Sequence, residues 1–196
     1  MNKIIDSPLI LASKSPRRKN LLKQIDLTFK VIPSDVDENL DIKLFPPEFV
    51  SHYAKMKAES VSKTNKGCYV IGADTIVVNN EKILGKPKNK DESYQMLSSL
   101  SGKTHKVYTG VSIQHYDSKI EKTFHEVTDV SFNTLSDLDI YYYIDRYKPF
   151  DKAGSYGIQD WFSAHVNKIN GCYYNVMGLP TNSVYKRLKN DFSYEL

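Results

Sequence analysis

Two stretches of this sequence combine residue type and spacing in a way that points to chemistry. One is the turn Ser13-Lys14-Ser15-Pro16-Arg17-Arg18, and the other is Asp74, a carboxylate set inside the apolar run Val70-Ile71-Gly72-Ala73-Asp74-Thr75-Ile76-Val77-Val78. In the first, Ser15 occupies an N-cap position and Pro16 a first helical position, so a helix begins there, and the first-turn N–H groups a single cap does not satisfy are open to an anion. Arg17 and Arg18 lie in that same first turn, where cations oppose the helix dipole and call for a negative partner. Ser13 and Ser15 add hydroxyl donors, which makes a phosphate or polyphosphate the natural guest. The plainer alternative is a solvated basic turn, and both readings stand on this stretch alone.

Asp74 loses hydration if its strand is buried, and that cost has to be met by a partner or a metal. Gly72 and Ala73 are small and leave room beside it for a ligand. The bland reading is an Asp bonded to backbone at a strand bend. The acidic run Asp35, Asp37, Glu38 offers a second carboxylate, with Glu38 or Asp37 suited to a hard cation such as Mg²⁺ or Mn²⁺, which prefers oxygen ligands; singly, each also reads as part of a solvated loop. Lys57 beside an apolar helix face, Lys86 in a Gly-Lys-Pro turn and Lys152 before Ala-Gly-x-x-Gly make five cations with Arg17 and Arg18, which could face a triphosphate and a departing pyrophosphate; singly, each lysine also reads as a solvated surface residue.

The elements that must position these groups follow from periodicity. Residues 8–12 read as a short strand, followed by a helix in which Leu21, Leu22 and Ile25 recur at helical spacing. Residues 27–32 alternate as a second strand. Pro46 and Pro47 open a helix with Phe49, Val50, Tyr53, Ala54, Ala58 and Val61 on one face and Lys57 beside that stripe. Residues 68–78 form the most apolar strand, with a turn at Asn79-Asn80, a return strand at 82–84 and a helix over 91–100. Two long strands, 107–116 and 119–132, pair as a hairpin, and 135–147 is an aromatic helix. A glycine-bearing loop, 151–159, precedes a second expected hairpin at 161–170, and 179–188 closes the pattern as a helix. This is a mixed α/β arrangement whose hairpins exclude a purely parallel doubly wound sheet.

Composition narrows the classes. The 196 residues are 40% hydrophobic and 26% charged, with the apolar positions spread along the chain, which argues against disorder and against a membrane span. A net charge of +4, from 27 basic and 23 acidic residues, suits an anionic small molecule but lacks the dense basic stripe of a nucleic-acid binder. The start of the sequence shows no charged n-region, apolar h-region and cleavage site in succession, so the expected location is the cytoplasm. Cys68 and Cys172 fit neither a disulfide framework nor metal spacing and read as buried thiols; the five histidines show no ligand pairing.

Taken in order, Leu11-Ala12-Ser13-x-Ser15-Pro16-Arg17-Arg18, Gly72-Ala73-Asp74-Thr75, Leu84-Gly85-Lys86-Pro87, His105-x-Val107-Tyr108-Thr109-Gly110-Val111, Asp151-Lys152-Ala153-Gly154-x-Tyr156-Gly157-Ile158-Gln159 and Asn175-x-x-Gly178-Leu179-Pro180 closely resemble the Maf family of nucleoside triphosphate pyrophosphatases. The likeness runs from about residue 9 to about residue 185. It implies one domain over residues 1–196 without a separate linker, with an elongated, twisted mixed sheet flanked by helices and two lobes around a cleft, as in inosine triphosphate pyrophosphatases. It also implies hydrolysis of a nucleoside triphosphate to the monophosphate and pyrophosphate with a divalent metal cation, and a homodimer. By motif position Asp74 would be the catalytic acid/base residue and, with Glu38, a metal ligand. Arg17, Thr75 and Gln159 would select the base, while Ser13, Arg18, Glu38, Lys57 and Lys86 would line the phosphate and metal region. The Gly-Ile-Gln ending resembles the dTTP/UTP branch, and a Gln amide can meet both a carbonyl and an N–H on a pyrimidine edge. Departures from the family pattern fall at Lys148-Pro149, Asp160 and Trp161-Phe162, bordering the implied base pocket. The alternative from another class is a non-catalytic nucleotide-binding regulator of cell division.

Overall fold

A single turn shows why the first helix begins where it does. In the computed structural model, which describes residues 8–192 and 194, strand β1 (Leu9–Leu11) leads into helix α1 (Pro16–Gln24). Ser15 stays extended and its Oγ accepts a hydrogen bond from the Arg18 N–H at 3.4 Å, while Pro16 gives up no helical bond at the first position. Leu21 and Leu22 turn inward and are buried. Strand β2 (Phe29–Val31) follows, and the Pro46-Pro47 pair starts α2 (Pro46–Ser62), whose Phe49, Val50, Tyr53, Ala54, Ala58 and Val61 form the expected buried face.

What lets α2 lie directly on the sheet is glycine. A Cβ at Gly72 would collide with the Ala54 carbonyl and Ala58 amide, and one at Gly110 with the Val50 carbonyl and Ser51 amide. Helix backbone therefore sits against β3 (Tyr69–Asn79) and β5 (Thr104–His115) with no side chain between. The room beside Asp74 that Gly72 was expected to leave for a ligand is filled by α2.

Strand β3 turns through Asn80 (φ 47°) and Glu81 (φ 66°) into β4 (Lys82–Leu84). Helix α3 (Lys90–Leu100) is capped by Asn89, and α4 (Asp137–Tyr147), after β6 (Ile120–Phe132), by Ser136. Short 3₁₀ turns at Ala153–Ser155 and Trp161–His165 precede β7 (Val166–Asn170), α5 (Tyr173–Val176) and α6 (Thr181–Asp191). The hairpin expected over 161–170 is thus half correct. Asp160 Oδ1 accepts from the Phe162 N–H and caps a 3₁₀ turn, and only the second half extends to pair antiparallel with β6. Helix α5 was not foreseen.

Among the described residues the strands form one seven-stranded sheet in the order β2-β1-β3-β5-β6-β7, with β4 paired to β3. β1 runs parallel to both β2 and β3, while β3–β4 and β6–β7 are antiparallel, giving the mixed α/β class the hairpins required. The chain divides into two compact units. The first comprises Met1–Asp74, Thr109–Glu126 and Gly178–Leu196, the second Thr75–Tyr108 and Val127–Met177. The first has a core cluster of Ile10, Ala12, Ala58, Val61 and Val70; that of the second includes Val77, Leu97, Phe132, Tyr143, Tyr156 and Phe162. Cys68 and Cys172 are free thiols and half-buried rather than buried. No helix among the described residues is long and apolar enough to cross a membrane. The leader expectation falls in part on residues 1–7, which lie outside those described.

Candidate functional site

In the first unit, β3 delivers Asp74 to the face covered by α2, because alternation along a strand puts residue 74 on the same side as Gly72. Asp74 is 2% exposed and Lys57, on α2, is 8% exposed. The Lys57 Nζ donates to Asp74 Oδ1 at 2.7 Å and to Glu38 Oε1 at 2.6 Å, so one ammonium bridges two carboxylates from separate parts of the chain. Asp74 Oδ2 is buried and has no hydrogen-bond partner among the described residues. That is costly for a carboxylate oxygen, and a buried polar group left so calls for an explanation, of which a ligand or a reaction at the site is one. Burial pushes the Asp74 carboxyl above its usual range and the Glu38 charge adds to the rise, while Lys57 and Arg18 pull it down; desolvation wins.

Two devices hold this cluster in place. The Tyr53 hydroxyl, on the buried stripe of α2, accepts from the Asn39 N–H at 2.7 Å and donates to the Asn39 carbonyl at 3.1 Å, pinning the otherwise irregular segment that carries Glu38. Arg18 Nε donates to the Gly178 carbonyl at 2.8 Å and its NH1 to Ser13 Oγ at 3.2 Å. Ser13 Oγ accepts a second bond from the Ser15 N–H at 3.2 Å, which leaves its own O–H to donate. Burial lowers the Arg18 guanidinium from its usual value, with Arg17 adding to that; Asp74 and Glu38 oppose it electrostatically. The negative compensation that two arginines in an N-terminal turn called for is supplied by these two carboxylates.

Ser13, Arg18, Glu38, Lys57 and Asp74 are therefore brought together, and Arg17, half-buried on the same turn, acts on Arg18 through its charge. Of the two acidic candidates, Glu38 is the one Lys57 holds; Asp37 is exposed. Thr75, Lys86 and Gln159 belong to the second unit. Thr75 follows Asp74 on β3 and points to the opposite face, the face on which Val77 packs under Gly154. Gly154 (φ 66°) donates its N–H to the Gly85 carbonyl at 3.0 Å, which ties the Lys86 turn to the 151–159 loop. Lys86 and Gln159 are exposed, and Lys152 Nζ pairs with Asp151 Oδ1 at 2.8 Å. No group of three or more His, Cys, Asp or Glu side chains able to hold a metal ion occurs among the described residues.

Sequence reasoning missed Tyr53, the Gly178 carbonyl and Tyr143. Tyr53 read as part of an apolar face and Tyr143 only as one of several tyrosines on an aromatic helix; the signal that could have found them is the hydroxyl, which needs a partner when buried. A carbonyl acceptor 160 residues away from Arg18 leaves no mark in sequence.

A mixed α/β fold whose first unit sets guanidinium and ammonium groups beside an unsatisfied buried carboxylate defines a protein equipped for an anionic, phosphate-bearing ligand. Its family is shown by comparison: the model described as Maf-like protein matches residues 8–191, and the chain belongs to the Maf family. It is 48% identical over 181 residues to the dTTP/UTP pyrophosphatase of Carboxydothermus hydrogenoformans, covering 92% of this chain and 97% of that one. It is 49% identical over 189 residues to the dTTP/UTP pyrophosphatase of Alkaliphilus oremlandii, covering 96% and 98%. Among solved structures it is similar to the Staphylococcus aureus Ham1 protein, with a TM-score of 0.45 and 20% identity over 64% of this chain and 72% of that one.

Proposed function

We propose that this chain is a nucleoside triphosphate pyrophosphatase that hydrolyses dTTP and UTP to the monophosphate and pyrophosphate in the cytoplasm, as a homodimer. The observation that carries the reading is the unpartnered, buried Oδ2 of Asp74 on a carboxylate whose other oxygen is held by Lys57. The relatives bearing the dTTP/UTP pyrophosphatase name, matched over nearly their whole length, supply the substrate class.

Asp74 is the general base. Its carboxyl is raised by burial, which makes it a better proton acceptor, and Lys57 fixes its orientation by holding Oδ1. Water attacks the α-phosphorus, its proton passes to Asp74 Oδ2, and the bond from the α-phosphorus to the bridging oxygen breaks so that pyrophosphate leaves with the electron pair. Arg18, Arg17 and Lys86 neutralise charge on the phosphates, and Ser13 donates its O–H to a phosphate oxygen. Thr75 and Gln159 read the base, Gln159 meeting a pyrimidine carbonyl and N–H with its amide. No covalent nucleophile is needed.

A divalent cation fits the residues present. Glu38, partly exposed, would be one carboxylate ligand and Asp74 the other in the state in which its Oδ2 does not carry the water's proton, and Mg²⁺ takes one or two carboxylates with the rest of its shell from water and substrate phosphate. When bound it supplies Lewis-acid stabilisation of phosphoryl oxygens.

The deciding experiment is pyrophosphate release from a panel of nucleoside triphosphates by wild type and Asp74→Asn, with and without EDTA. Turnover of dTTP and UTP by wild type, abolished by the substitution and by chelation while the fold is retained, supports the assignment. An Asp74→Asn protein keeping most of its rate would move the chemistry elsewhere, and nucleotide binding without any turnover would favour the regulator.

A further inference from the structure

The segment that carries Gln159 hangs on one phenolic oxygen. Tyr143, fully buried on α4, accepts a hydrogen bond from the Gly157 N–H at 2.9 Å and donates its own proton to Asp160 Oδ2 at 3.0 Å. The two residues it holds are the two ends of a four-residue turn, closed further by the Asp160 N–H on the Gly157 carbonyl at 3.4 Å. Asp160 uses its other oxygen, Oδ1, to cap the following 3₁₀ turn through the Phe162 N–H at 3.0 Å. Inside the turn Ile158 is 4% exposed and anchored in the core of the second unit, so its neighbour Gln159 faces outward.

Both ends of this turn are held by hydrogen bonds to packed groups. A Cβ at Gly157 would approach Asp160 Oδ2 to 2.5 Å and Lys152 Cε to 2.9 Å, so glycine lets both side chains lie against the turn backbone as they do. The Tyr143 ring is held in turn by Phe162 at 4.9 Å and by Tyr147 at 5.2 Å between centroids. Burial and the Asp160 charge push the phenol above its usual value, so the hydroxyl keeps its proton and its donor role across the working pH range. Asp160 is one of the positions where the sequence departs from the family pattern, and here it has a task of its own.

We propose that Tyr143 and Asp160 are positioning residues that fix the Gln159 side chain against the base and thereby set the preference for pyrimidine over purine nucleotides. This rests on the pyrophosphatase reading above. An amide must be aimed to exchange two hydrogen bonds with one base edge; a turn released at both ends presents it in many directions and pays ordering entropy on binding.

The test is steady-state pyrophosphate release from dTTP, UTP and dGTP by the full chain, with folding checked by circular dichroism and thermal melting. Tyr143→Phe removes one oxygen and keeps the ring. It should raise KM for dTTP more than it lowers kcat, and cut the dTTP-to-dGTP ratio of kcat/KM about tenfold. Gln159→Ala should do the same, and the double substitution should lose no more selectivity than Gln159→Ala alone, because both act through one side chain. Asp160→Ala should follow Tyr143→Phe and serves if that variant does not fold; Asp160→Asn, which keeps an oxygen for the phenol, should stay nearer wild type. A folded Tyr143→Phe protein with wild-type selectivity, or with an equal loss on dTTP and dGTP, overturns the inference while leaving the pyrophosphatase reading intact. A wild-type protein that cleaves no triphosphate overturns both.

Discussion

Asp74 and His105 are both buried titratable groups, and they serve opposite ends. Burial raises the Asp74 carboxyl, so its charged form costs the folded state more than its partners return. Asp74→Asn removes that charge and keeps the shape, and Lys57 retains Glu38 as a partner. The melting temperature of the variant near neutral pH should equal or exceed that of wild type, by about 2–4 °C for each kcal/mol relieved, and the gap should narrow as pH falls and Asp74 protonates. His105 is structural: its Nε2 lies 2.8 Å from the Tyr156 hydroxyl, and desolvation lowers it to about 4. The unfolded chain takes up a proton on this residue below about pH 6.5 while the folded one does not, so stability is full above that pH and falls between it and about pH 4. The loss is on the order of 3 kcal/mol. Urea denaturation at pH 7 and pH 4.5 should show a smaller difference for His105→Gln than for wild type.

At the scale of elements, local rules carried most of the reading. Ser15 and Pro16 announced α1 because capping chemistry is local, and the stripe of α2 was legible because six apolar residues at helical spacing can only face a core. Ser15→Ala should cost about 1 kcal/mol. The residues most informative in sequence, Asp74 and the arginine pair, are those whose types conflict with their surroundings. What was not legible is long-range. Gly72 looked like space for a ligand because sequence does not reveal that a helix backbone would occupy it. The 161–165 turn looked like a strand because Trp161 and Phe162 suit one, while its capping residue, Asp160, takes its second bond from Tyr143 on another element. Gly72→Ala should lift α2 from β3, cost about 1–3 kcal/mol or more as an overpacked site, and impair turnover by moving Lys57 from Asp74. A melt and an assay on the same sample would check both.

At the scale of the molecule, the first unit is assembled from three separate stretches of chain and the second from two. That discontinuity is invisible to periodicity, which reads only neighbours. A ligand that binds only the folded state stabilises it by about 2.7 kcal/mol at a hundred times its dissociation constant, which for a chain of this size is about 5–10 °C. A non-hydrolysable dTTP analogue with Mg²⁺ should raise the melting temperature by that much, EDTA should reverse most of the gain, and dGTP analogues should give less.

The bond from Arg18 to the Gly178 carbonyl joins the start of the chain to its final stretch. A ribosome that has made residues 8–170 has already produced every acidic and basic side chain of the carboxylate cluster, yet not the acceptor that aims Arg18, nor α6. A nascent polypeptide stopped before Gly178 would therefore emerge with Arg18 lacking its Nε acceptor while keeping its bond to Ser13.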